Sequence, residues 1–181
     1  MDDFNPEHWR DLYVMLGTSS AALLGLLFVA TSLHVVDLAK NSGYGTRALY
    51  NTYFLLLTLV EAACILMPQS STALGAEIAI ANLFLFLMTF KVVFRYVYQR
   101  RDLGKRGGYS DYRSATFLLA FLAGAIGGTL LFCHDLRGLY VVTAAYIVVL
   151  IAVALNSWSI MRGIGEVDRA AERRAAKQHE Q

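Results

Sequence analysis

The sequence predicts an all-α polytopic membrane bundle of five transmembrane helices, and three observations predict it. Of 181 residues, 56% are hydrophobic, more than the surface of a soluble domain of this length can spare. The apolar residues come in blocks rather than stripes. Five blocks reach about the 20 residues that carry a helix across a bilayer, at about 12–36, 48–68, 76–98, 115–133 and 139–161. Lysine and arginine alternate from one connecting segment to the next, as successive spans of opposite direction require. The five-span bundle therefore takes residues 1–161 and a charged tail takes 162–181, which leaves no room for a soluble catalytic domain.

The first span follows MDDFNPEHWRD, an acidic opening whose Asn5 and Pro6 suit a helix N-cap and first helical position. The apolar run behind it is too long for the core of a signal peptide, so this span is expected to be uncleaved. Trp9, Leu12, Tyr13 and Leu16 share one helical face, which is expected to lie in the headgroup region. Gly17, Ala21 and Gly25 then repeat at four-residue spacing, a pattern that lets membrane helices approach closely. The stretch WRDLYVMLGTSSAALLGLLFVATSL resembles the opening of a group of small uncharacterised multi-pass bacterial inner-membrane proteins, with its aromatic start, its Gly/Ala/Ser cluster and its GLLFVA. That resemblance covers mainly this span; it implies a bacterial inner-membrane location and no particular activity.

The second span carries a single acid, Glu61, inside YFLLLTLVEAACILM, and PQSSTALG then turns the chain into the third. Asn82 lies in the third span, with Lys91 and Arg95 near its far end. The segment QRRDLGKRGGYSDYR follows, and its Arg100, Arg101, Lys105 and Arg106 suit anionic lipid headgroups. GKRGG lacks the spacing and the Ser/Thr of a phosphate loop, and no nucleic acid is expected as a partner. The fourth span repeats the small-residue pattern at Ala120, Gly124 and Gly128. The short segments 68–75 and 134–138 are expected to make spans two and three, and four and five, antiparallel neighbours, with span one the freer element. The tail should prolong span five as a helix, its Ile160, Ile164, Val167 and Ala171 giving a short coiled-coil pattern.

Charge sets the direction. Of the 16 lysines and arginines, 14 fall on the side of the first and third loops and the tail, leaving only Arg10 and Arg137 opposite. The N-terminus is thus expected outside and the C-terminus in the cytoplasm.

Depth along the helices, at about 1.5 Å per residue, places Glu61 level with Asn82, Ser19, Ser20, Thr129 and Thr143. This is a polar layer in the outer third of the membrane with a contributor from every span. An intramembrane carboxyl is costly and turns inward or toward water. Three readings stay open for Glu61: a cation or proton site, a protonated carboxyl hydrogen-bonded to Asn82 or a serine as interhelical glue, or a contact with lipid or a partner. A second set, Thr31, Ser32, His34, Asn51, Thr52, Thr116 and Asn156, lies nearer the cytoplasm. Cys64 and Cys133 read as buried small thiols. No metal-ligand spacing, cofactor motif or nucleophile–base set is visible, and no enzyme is expected. Two functions remain: a small homo-oligomeric ion or proton channel centred on Glu61, or a non-conducting adaptor that binds another membrane protein.

Overall fold

A computed structural model describes residues 7–35, 42–102 and 110–179, all within or beside five helices. They are α1 (Glu7–Leu33), α2 (Ser42–Leu66), α3 (Ser71–Asp102), α4 (Ser110–Phe132) and α5 (Arg137–His179). No strand occurs among the described residues. Each helix contains a segment long and apolar enough to cross a membrane: Trp9–Leu33, Gly45–Leu66, Ser71–Arg95, Ser114–Phe132 and Arg137–Gly163. The chain is an integral membrane helical bundle. Its exposed surface agrees, since large apolar side chains such as Leu26, Phe28, Ile80, Phe84, Leu119 and Trp158 point outward. That is costly in water and natural against lipid. Asn5, Pro6, Lys40, Lys105 and Arg106 lie outside the described residues, while Arg100 and Arg101 fall in the last turn of α3.

The two short turns stand at one end of the bundle, called here the short-turn end, and their chemistry explains the helix boundaries. Pro68 follows α2, where it cannot continue the helical bonding. Ser70 caps α3, its hydroxyl accepting from the Ala73 amide at 3.2 Å. The span therefore begins at Ser71 rather than at the apolar block beyond it. α4 ends in a paired closure: the His134 amide donates to the Leu131 carbonyl at 3.0 Å, and the Asp135 amide donates to that of Leu130 at 2.9 Å. His134 takes the left-handed φ of 64° that this closure needs. Asp135 then starts α5 by accepting from the Arg137 amide at 3.0 Å. The His134 ring meets the Ser71 and Thr72 hydroxyls at 3.2 and 3.5 Å, tying one turn to the other.

Packing keeps α4 and α5 as the expected neighbours but departs from the expected pairing of α2 with α3. α3 packs most closely on α4, α4 on α5, and α1 on α2, while α2 and α3 touch little despite their short turn. Side-chain volume is the reason. Gly75 faces the backbone of Gly128, Leu131 and Phe132, and Gly127 faces Gly138 and Val142, so α3, α4 and α5 approach backbone to backbone. α2 instead presents Phe54, Leu55 and Ile65 to the core, and these need room. The bundle thus has two parts: an α1–α2 pair, and an α3–α4–α5 unit held by glycines. α5 reaches across to both α2 and α1.

The two small-residue stripes part ways here. Gly124 and Gly128 of α4 are buried against α3, and Ala120 is buried beside them in the core. On α1 only Gly17 is buried, its Cα facing the Ala62 methyl; Ala21 and Gly25 are exposed, and nothing stands within 4 Å of where a Gly25 side chain would begin. The α1 pattern is not one continuous groove within the chain, because α2 meets α1 along the neighbouring Leu16, Ser20 and Leu27 face. α1 is accordingly not the free element expected.

Candidate functional site

Among the described residues, five of the eight buried polar ones gather in two places along the seam between the two parts, while Ser20, Thr58 and Thr89 lie apart. Near the short-turn end, Glu61 is 4% exposed and Asn82 2%. Asn82 Nδ2 donates to Glu61 Oε1 at 2.7 Å and to its own helix's Ile78 carbonyl at 3.0 Å. Both partners are acceptors, which fixes the amide nitrogen toward the acid. The Asn82 Oδ1 side lies over Gly124, where a Cβ would collide with it, so α4 contributes an absence of side chain. From α5, the Tyr146 hydroxyl lies within electrostatic reach of both Glu61 and Asn82. Glu61 Oε2 and the Tyr146 hydroxyl are buried and have no hydrogen-bond partner. One helical turn nearer the short-turn end, the Tyr13 hydroxyl and Thr143 Oγ1 lie 2.7 Å apart. Tyr13 packs edge-on to Tyr146 at 6.4 Å between ring centres, and Trp9 packs edge-on to Tyr140 at 4.7 Å.

Four helices thus build one cluster, and the expected layer is only partly realised. Glu61, Asn82 and Thr143 come together. Ser20 is buried but bonds the Leu55 carbonyl of α2 at 2.6 Å, apart from the acid. Ser19 and Thr129 are exposed. Thr129 bonds its own helix at the Ala125 carbonyl and lines an outward groove with Ala79, Ile80 and Leu83. The direction each side chain faces around its helix is what separates these residues.

Tyr13 and Tyr146 are the members that sequence reasoning missed. Tyr13 was assigned to the headgroup region, yet it is fully buried against α5. The signal for Tyr146 lay in its position. A tyrosine ten residues inside an apolar span (137 to 146 counted inclusively) needs a partner for its hydroxyl. It also falls three residues after Thr143, on the same helical face.

The second cluster lies toward the other end. Asn156 Nδ2 donates to Asn51 Oδ1 at 2.8 Å, and Asn51 Nδ2 donates to Ser157 Oγ at 3.1 Å. Four others expected at this depth bond their own helices: Thr31 and Ser32 at the Phe28 carbonyl, His34 at that of Ala30, and Thr52 at that of Ala48. Between the clusters runs an apolar belt of Phe54, Leu55, Leu85, Phe117, Phe121 and Val149.

Both cysteines are free thiols; Cys64 is half-buried and Cys133 exposed, so Cys133 departs from the expected burial. No group of three metal-binding side chains occurs among the described residues. The fold and the cluster define an integral membrane bundle with one buried carboxyl at a four-helix junction. No family model, curated protein or solved structure matches the chain.

Proposed function

We propose that the Glu61 cluster is the exchange site of a small ion or proton pathway in a bacterial inner membrane. The pair of buried, unpartnered oxygens at Glu61 and Tyr146 carries this reading. A carboxyl is not needed merely to join α2 to α5, because Asn51, Asn156 and Ser157 join the same helices with neutral groups. An acid retained at depth at greater cost is the mark of a group that binds or titrates. In this reading the short-turn end faces outside and the basic segments face the cytoplasm, with Arg100, Arg101, Lys105 and Arg106 against anionic headgroups. Cysteines placed at Ser71 should then react with an impermeant thiol reagent in intact cells, while those at Lys105 should not; the reverse pattern inverts the topology. Assembly into a homo-oligomer would use the open α1 face at Ala21 and Gly25, and the stoichiometry of the purified protein tests this.

The deciding experiment is flux into liposomes. Wild-type protein should pass protons or an alkali cation between pH 5 and 8, and Glu61→Gln should lower that flux at least tenfold while the protein still folds. The apolar belt favours a second reading, a non-conducting adaptor for another membrane protein, since it separates the two polar clusters within one chain. Absence of any flux from wild-type liposomes leaves the adaptor.

A further inference from the structure

Resting on the reading of the Glu61 cluster as an exchange site, we infer that its ligand is a proton, shared between the Glu61 carboxyl and the Tyr146 hydroxyl, and not a metal cation. The argument is a count of donors and acceptors. Asn82 spends both amide hydrogens, one on Glu61 Oε1 and one on the Ile78 carbonyl. Glu61 Oε2 and the Tyr146 hydroxyl are the atoms left over, and Tyr146 reaches both Glu61 and Asn82.

With a proton on Oε2, a short approach of the nearby Tyr146 hydroxyl, which stands outside bonding geometry here, closes the ring. The carboxyl O–H donates to the Tyr146 oxygen, the Tyr146 O–H donates to Asn82 Oδ1, and Asn82 Nδ2 already donates to Glu61 Oε1. Every polar atom in the ring then has a partner, which a buried network requires. Remove the proton, and the Tyr146 O–H must turn to Oε2, leaving Asn82 Oδ1 without its donor and a bare charge at depth.

A metal cation fits poorly. Hard cations want several oxygens converging on one point, whereas Asn82 presents its amide hydrogens to the carboxyl rather than its carbonyl. The groups that face Glu61 add no cation to balance a lost proton. They are Tyr13 from α1, Cys64 of α2 itself and Tyr146 from α5, with neutral Asn82 from α3 and Gly124 of α4 behind it.

Infrared difference spectroscopy on the full chain in nanodiscs tests this. Wild type minus Glu61→Gln should show one protonated-carboxyl C=O band at pH 7, unchanged when sodium, potassium or calcium is added. In Tyr146→Phe the band should persist and shift to higher frequency, as a carboxyl O–H that loses its acceptor does. A band that is absent, or that converts to carboxylate on adding a cation, overturns the proton assignment. A band that Tyr146→Phe leaves in place overturns the sharing. Should Glu61→Gln fail to fold, the cation titration and Tyr146→Phe, each against wild type, decide the matter alone. Liposomes without flux whose protein still shows the band would overturn the pathway and leave this assignment standing.

Discussion

The two polar clusters sit on the same pair of helices, α2 and α5, and are built in opposite ways. Ten residues separate them on each helix (51 to 61 on α2, 146 to 156 on α5), or about 15 Å of helix. The Asn51–Asn156–Ser157 cluster is built of neutral groups that pair with one another. The Glu61 cluster contains an acid, takes in a third helix through Asn82, and leaves two oxygens without partners. Neutral, paired amides are what a membrane protein needs to hold helices together. A buried carboxyl with one oxygen unpartnered costs stability. The proposed function rests on this difference, with cohesion at one cluster and exchange at the other.

The largest expected effect would break that division outright. Glu61→Gln should reduce liposome flux at least tenfold, and Asn156→Leu should change it less than twofold in protein that remains folded; equal losses from both would dissolve the distinction. Next is Gly124→Ala, which places a methyl against the Asn82 carboxamide. Overpacking of this kind costs about 1–3 kcal/mol, read as a lower thermal midpoint in detergent, and it should impair flux because Asn82 must move away from Glu61. Gly25→Ala, with open space before it, is the matched control.

The contrast sharpens in stability alone. Asn51→Leu removes two interhelical hydrogen bonds, to Asn156 Nδ2 and Ser157 Oγ, so it should cost about 1–2 kcal/mol. Glu61→Leu removes the costly acid and leaves Asn82 its bond to Ile78, and should cost less than Asn51→Leu; the reverse order in denaturant unfolding would make Glu61 the structural member. Smallest of all is Tyr146→Phe. It takes one hydroxyl from the proposed proton-sharing ring and should cost about 0.5 kcal/mol in unfolding free energy, the low end for a neutral hydrogen bond.

The five helices were legible because spanning a bilayer demands a length and an apolarity that composition displays directly. Glu61 and Asn82 were legible for the same reason, as polar residues in places where polarity is costly. Facing was not legible. The α1 and α4 stripes share one spacing, yet Gly124 and Gly128 are buried while Ala21 and Gly25 look outward, since spacing shows that helices can approach and not which helix arrives. Of the two pairings expected from short turns, α4 with α5 holds and α2 with α3 does not, because a short turn constrains only the ends it joins. The backbone fit of Gly75 to Gly128 outweighed it. Tyr13 was misplaced because an aromatic near a span end serves an interface or a core equally well.

The glycine contacts inside the α3–α4–α5 unit have a mechanical consequence. Backbones seated on one another without intervening side chains have little freedom to slide, whereas the boundary with the α1–α2 pair is stitched mainly by larger side chains and the two polar clusters. Bilayer thinning or lateral tension, acting on the whole perimeter, would be taken up first at that more compliant boundary. A gap opening there by the width of one water molecule would reach Glu61 before it disturbed a glycine contact of that unit, which would tie hydration of the acid to strain in the membrane.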